Sequence, residues 1–221
     1  MTPVVCGWLR DQALRVKEEF NLPWGIPDVV GASFNAERVE KRLSLGQREA
    51  IGPFSRINIL LEVPHIEAGL SVSLRELWVR LGGLFSEEEI AAELGVLAKR
   101  HFVRRDEKGC FQSVNGWMPL HERLVVVELK LDRIDDALSQ ARKNKGLSWE
   151  SYVGLPLTVA ERVMGGKKAG EFREAGVGLL GVSAWGVQEL LPARDLGVSS
   201  RAVETHCLER FWRDGLQAVK H

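Results

Sequence analysis

The chain has little cysteine: Cys6, Cys110 and Cys207 are its only three among 221 residues, far apart and without a CxxC pair. That scarcity excludes a disulfide framework and a cysteine zinc knuckle. Long apolar runs are also lacking. None approaches the length of about eighteen residues that a membrane helix needs, so no membrane partner is expected. The amino terminus, MTPVVCGWLRDQ, reaches charge too early for a secretory leader, and the expected compartment is the cytoplasm. Neither sign of charge is in excess, thirty basic residues facing thirty acidic ones. This excludes a uniformly basic coat that holds any polyanion and leaves room for a local basic groove. The five histidines form no HExxH, no GxSxG marks a hydrolase elbow, and GGKKAG at 165–170 lacks the spacing of a P-loop.

What is present is ordinary for a globular chain. Hydrophobic residues make up 45% and charged residues 27%, which argues against wholesale disorder. The length accommodates one large domain or two small ones, either with a real core. There is no internal repeat and no low-complexity linker. Val5, Trp8, Leu9, Ala13, Val16 and Phe20 fall on one stripe and predict an amphipathic helix that Pro23 stops. Ile26 to Phe34 (IPDVVGASF) reads as β-rich, and the polar stretch from Asn35 to Gly52 is the candidate boundary.

From Phe54 to Val114 the pattern becomes helix, helix, helix and hairpin. Ile57, Ile59, Leu60 and Leu61 suggest the first helix. Ser73 can cap a second carrying Leu74, Leu77, Trp78 and Leu81, broken at Gly82 and Gly83. Ser86 with Glu89 forms a capping box for a third, which turns Ile90, Leu94, Leu97 and Ala98 inward. VRRDEKGCFQSV then reads as a hairpin around Gly109. This order resembles a winged helix-turn-helix.

The α/β pattern resumes at Arg123 to Leu131 (RLVVVELKL), an apolar strand suited to burial on both faces. Asp132 can cap a helix whose stripe is Ile134, Ala137, Leu138 and Ala141. Strands at 152–155 and 177–183, a helical stretch at 158–175, an edge strand at 185–192 and a terminal helix at 199–215 complete the pattern. Alternating strands and helices predict a mixed sheet covered by helices. Trp8 and Trp78 lie on apolar stripes and read as core, while Trp149 beside Tyr152 stays open.

Two words carry chemistry: PDVV at 27–30 and VVVELK at 125–130. Side chains two apart on a strand share a face, so Glu128 and Lys130 project together. Charges at the end of an apolar strand are costly unless paired, metal-bound or wet. If the Asp28 strand is a neighbour, two carboxylates and a lysine converge. That set suits a hard divalent cation and attack of water on a phosphodiester. Read alone, E-x-K is a surface ion pair and Asp28 a turn aspartate after Pro27. The apolar run before Glu128, the helix after it and PDVV upstream favour the site.

A helix, a strand with PD, a strand with E-x-K, a helix and a further strand resemble the PD-(D/E)xK nuclease superfamily, with its restriction-endonuclease-like fold. The resemblance covers roughly residues 3–34 and 120–183. It implies an α/β fold with a mixed β-sheet flanked by helices and an inserted, mainly α winged-helix domain. The domains would be 1–45 and 119–221 for the nuclease-like part and 46–118 for the insertion. By the resemblance, Asp28 and Glu128 are metal ligands with the Leu129 carbonyl as a third, and the ion is Mg²⁺ or Mn²⁺. Lys130 is the catalytic lysine, Gln140 matches a glutamine of the following helix, and Glu18 or Glu19, late in the first helix, could add an acid. Read without the resemblance, Gln140 is a solvated helix residue and Glu18 and Glu19 are surface acids. The departure is the gap of about a hundred residues between Asp28 and Glu128, which the insertion accounts for.

Lys143, Lys145, Lys167 and Lys168 flank this site in sequence and are the phosphate-contact candidates, solvated surface lysine being the plainer reading of each. In the winged unit, Glu87, Glu88, Glu89 and Glu93 would face the phosphates if the third helix entered a groove, which is electrostatically unfavourable. Acids also complement a helix amino terminus. The unit either binds DNA through its wing (Arg104, Arg105, Lys108) or is a structural or dimerisation module, and the acidic helix favours the second. Three functions are therefore open: a metal-dependent nuclease acting on nucleic acid, DNA foremost; a non-catalytic DNA-binding or regulatory protein; and an interaction module, with a homodimer as one form.

Overall fold

The computed structural model describes residues 1–22, 25–115, 119–146, 148, 150–194 and 200–213. Pro23, Trp149 and the ends expected for the last helix, Ser199 and Gly215, lie outside the described residues. In chain order the elements begin with α1 (Thr2–Asp11), β1 (Arg15–Glu18), β2 (Val29–Phe34), α2 (Ala36–Ser44) and α3 (Phe54–Glu62). Next come α4 (Leu74–Leu81), α5 (Glu87–Lys99), β3 (Val103–Arg105), β4 (Phe111–Ser113), β5 (His121–Leu129) and α6 (Ile134–Asn144). The last are β6 (Glu150–Pro156), α7 (Leu157–Met164), α8 (Lys168–Ala175), β7 (Gly178–Ser183), β8 (Gly186–Leu191) and α9 (Arg201–Arg213). They group into two compact units, residues 1–34 with 121–204, and residues 35–120 with the described residues from 205 onward.

The first unit is an α/β layer around a six-stranded mixed sheet in the order β1-β2-β5-β6-β7-β8. β1, β2 and β5 run antiparallel to one another, β5, β6 and β7 run parallel, and β8 closes the edge antiparallel to β7. The apolar run of β5 sits at the centre, where Leu124 to Glu128 are all buried. One face of the sheet packs Val125, Val127, Leu180 and Val182 against Val5, Cys6 and Leu9 of α1. On the other side Ala137, Leu138 and Ala141 of α6 pack with Ala160 and Val163 of α7, Val153 and Leu155. Each fully buried valine or leucine stabilises the fold by about 1.5–3 kcal/mol before conformational entropy is subtracted. A Cβ at Gly178 would sit 2.3 Å from the Tyr152 ring, so the β6–β7 pairing tolerates no larger residue there.

The structure corrects the expected first helix. α1 stops at Asp11, Ala13 takes a left-handed φ of 59°, and Arg15–Glu18 then pairs antiparallel with Val29–Ala32. Val16 still packs on the core the periodicity assigned it, but from a strand. Three further expectations are revised. Asp132 is not the cap of α6, whose N-cap is Arg133 without a side-chain hydrogen bond. The helical stretch after β6 is two helices separated at Gly165 and Gly166. Trp78 is 39% exposed rather than core, because the inward residues of α4 are Leu77 and Leu81.

In the second unit the expected capping box of Ser86 with Glu89 forms, and the Ser73 cap proves to be a capping box as well, with Glu76. Each satisfies two amide donors that a helix start leaves orphaned. The turn between β3 and β4 is held by Asp106, whose Oδ1 accepts the Lys108 and Cys110 N–H groups, with Gly109 at φ 80°. The polar stretch after Phe34 is helix α2, capped by Asn35. Its Arg42 is buried and donates to both carboxylate oxygens of Glu209 at 2.5 and 3.0 Å.

Candidate active site

The antiparallel register that pairs Val29 with Val127 brings Asp28, which leads into β2, level with Glu128 near the end of β5. The contact is direct: the Leu129 N–H donates to Asp28 Oδ2 at 2.7 Å, and Lys130 Nζ lies 3.9 Å from the same oxygen. Lys130 has just left the strand, its N–H donating across to the Gly154 carbonyl of β6. Strand hydrogen bonding alternates between edges, so the Leu129 carbonyl leaves on the Asp28 side. Asp28, Glu128, Leu129 and Lys130 are thus gathered at one end of the two central antiparallel strands.

Their surroundings differ. Glu128 is buried, whereas Asp28 and Lys130 are partly open to solvent. Asn144, the last residue of α6, donates its side-chain amide to Glu128 Oε1 at 2.7 Å. Burial pushes the Glu128 carboxyl up to about 7; the Asn144 amide pulls against this, the Asp28 carboxylate adds to it and Lys130 opposes it. A buried and a partly open carboxylate stand beside one ammonium group, which leaves the site short of positive charge. All its donors are oxygens, the ligand type of hard divalent cations. Among the described residues no group of three or more histidine, cysteine, aspartate or glutamate side chains is placed to hold a metal. An ion at Asp28 and Glu128 would therefore complete its shell with the Leu129 carbonyl, water and substrate oxygens. On donor chemistry and charge, the residues fit Mg²⁺ or Mn²⁺.

The remaining candidates lie elsewhere. Gln140 is exposed, and among the described residues no hydrogen bond or ion pair joins it to Asp28, Glu128 or Lys130. The polar residue of α6 that does reach Glu128 is Asn144, one turn further on. Glu18 sits in β1 and Glu19 follows it with φ 45°, not late in a helix. Lys143 is exposed on α6. Lys145 donates to the Gly176 and Arg194 carbonyls at 2.9 and 2.6 Å, so its ammonium ties backbone segments together. Lys168 pairs with Asp135, and together with Lys167 and Arg162 it lines a cavity of about 230 Å³ floored by Ile134, Val159 and Val163. In the second unit, Arg104 donates to Gln112 Oε1 and Arg105 stacks 4.9 Å from the Phe111 ring centre, both side chains being exposed in β3.

Asn144 escaped the sequence reading although a signal was present. It continues the inward stripe Ala137, Leu138 and Ala141, where a polar side chain needs a partner. Compared with known proteins, the chain matches no family model, no curated protein and no solved structure.

Proposed function

We propose that this chain is a Mg²⁺- or Mn²⁺-dependent nuclease that hydrolyses phosphodiester bonds of nucleic acid, DNA foremost. The observation that carries the reading is the convergence of Asp28, Glu128 and Lys130, with Leu129 tethered to Asp28, at the end of adjacent strands. Asp28 and Glu128 would hold the ion, and Asn144 fixes the Glu128 carboxylate for it. When bound, such an ion supplies Lewis-acid polarisation of the scissile phosphate. Lys130 presents its ammonium group beside Asp28, where it orients the attacking water and neutralises charge developing on the phosphate. Exposed Lys143 and Lys167, and Arg104 and Arg105 of the hairpin, offer phosphate contacts.

The element order supports the finer reading of the fold as restriction-endonuclease-like, with a winged-helix insertion between β2 and β5. A second function, DNA binding without cleavage through that insertion, is favoured by the exposed Arg104 and Arg105. It is opposed by Glu87, Glu88 and Glu89 in the first turn of α5.

The test is cleavage of plasmid DNA, single-stranded DNA and RNA with Mg²⁺ or Mn²⁺ by wild type, Lys130→Ala and Glu128→Ala, with folding checked by circular dichroism. Metal-dependent cutting that both substitutions abolish supports the nuclease and its site. Cutting that survives both locates the activity elsewhere, and absence of cutting in all three on DNA and RNA favours the binding function.

A further inference from the structure

Among the described residues of the first unit, three large apolar side chains are exposed: Ile26, Leu131 and Trp185. They are not scattered. β2 runs antiparallel to β5, so the residues before Val29 and those after Leu129 lie at one end of the sheet. Ile26 stands two residues before Asp28, and Leu131 directly follows Lys130. β5, β6 and β7 run parallel, with Leu129, Gly154 and Leu180 level across the three strands. The turn after β7 therefore lies at that same end, and it carries Trp185. From this placement we infer that the candidate site takes a single strand of nucleic acid whose bases stack on Trp185. The inference rests on the nuclease reading and names the form of its substrate.

The hairpin does not need the indole. β7 and β8 are joined by two residues, Ala184 and Trp185, with Ser183 paired to Gly186. The Ser183 hydroxyl accepts from the Trp185 N–H and donates to the Gly186 carbonyl, both at 3.2 Å. That hydroxyl and the backbone ladder hold the turn, while the Trp185 side chain takes no part in these bonds and is 97% exposed. A braced turn thus presents a broad aromatic face to solvent. Proteins offer unpaired bases stacking platforms of this kind.

Position links the indole to the site. Ser183 is three residues past the level of Leu129 and two strands away. The turn accordingly sits about 10 Å beyond Leu129 and about 10 Å to one side. A strand held by one phosphate at the carboxylates and Lys130 reaches Trp185 within a few nucleotides. Ile26 and Leu131 border the site itself, where they would meet sugar or base. A continuous duplex turns its phosphates outward and keeps its base faces stacked, so it offers these side chains little to cover. An unpaired strand exposes every base face. The apolar rim therefore favours the single strand.

The experiment measures binding to the full chain in the presence of a chelator, which silences metal-dependent cutting. A labelled oligonucleotide, as DNA and as RNA, is followed by fluorescence anisotropy, single-stranded or annealed to its complement. The single strand is expected to bind more tightly in at least one of the two chemistries. Trp185→Ala should weaken that binding about tenfold, Trp185→Phe should retain most of it, and duplex binding should not move. Because the indole is exposed, thermal unfolding of both variants should match wild type. Duplex preference, no binding of either form, or single-strand binding indifferent to Trp185→Ala overturns the inference. Adding Mn²⁺ separates it from the nuclease reading. Trp185-dependent binding of the single strand without any cutting by wild type keeps the stacking surface and removes the nuclease. Metal-dependent cutting of duplex that is indifferent to Trp185→Ala keeps the nuclease and removes the stacking surface.

Discussion

The side-chain amide of Asn144 donates to Glu128 Oε1 at 2.7 Å, from the last turn of a helix to the centre of the sheet. Removing it leaves a buried carboxyl without that partner. Asn144→Ala is expected to destabilise the chain by about 1–3 kcal/mol. It should also weaken Mn²⁺ binding about tenfold, the usual cost of removing a group that orients a ligand. Thermal unfolding and calorimetric titration of Mn²⁺ check the two effects separately.

Asp28 has two roles that substitution can split. As hydrogen-bond acceptor it secures the Leu129 N–H, and as a carboxylate it would hold the ion. Asp28→Asn retains an oxygen acceptor, so its stability should stay near wild type, whereas Asp28→Ala should lose about 1 kcal/mol, the partly exposed position limiting the cost. Metal-dependent cleavage is expected to fail in both. An Asp28→Asn variant that still cuts at the wild-type rate would remove Asp28 from the metal site.

Buried charge makes the second unit vulnerable at one point. Arg42 and Glu209 are 1% and 2% exposed, and Glu209 also receives the Ile51 N–H. Glu209→Ala strands a buried guanidinium and should cost about 3–5 kcal/mol, while the double substitution Arg42→Met with Glu209→Leu should recover much of that loss. Urea unfolding of the two variants gives the comparison.

His206 supplies a pH dependence. Its folded pKa lies below the ordinary value of 6.5, so the unfolded chain takes up the proton first as pH falls. The stability it contributes is complete above 6.5 and is lost as pH falls through the lowered folded value. His206→Gln should therefore flatten the acid side of a stability profile measured by denaturant unfolding and leave the neutral side in place.

The thiols should separate by burial. Cys6 and Cys207 are buried and Cys110 is partly exposed in the hairpin. Burial pushes the Cys6 thiol up to about 11, with Glu18 adding to the effect, which makes its thiolate scarce at neutral pH. A thiol–disulfide exchange reagent is expected to titrate Cys110 in the native chain and the other two only after denaturation. Fast reaction of all three would contradict this packing.

What the sequence disclosed depended on how local the cause was. The capping boxes at Ser73 and Ser86 and the apolar run of β5 are written in adjacent residues, and all three elements form. β1 is not legible in its own residues because Val16 fits a helical stripe as well as a strand, and only pairing with Gly31 decides between them. α2 stayed hidden because its one inward charge, Arg42, is answered by Glu209 far along the chain. The same applies to the candidate site. Asp28, Glu128 and Lys130 were visible from their flanking residues, while the choice of Asn144 over Gln140 depends on which turn of α6 reaches the sheet.

Phe34 and His121 end the paired edges of β2 and β5. A hairpin would join them with a turn of a few residues; here the whole of 35–120 intervenes, and loop closure over such a span is slow to be rewarded. Yet that segment closes on itself, the Asn35 N–H donating to the Leu120 carbonyl at 2.9 Å. Once it has folded, the chain between the two strands is effectively as short as a turn. Assembly of the carboxylate pair then becomes a local event in time, although its halves are synthesised about a hundred residues apart, and any mutation that slows folding of 35–120 will delay the site without touching it.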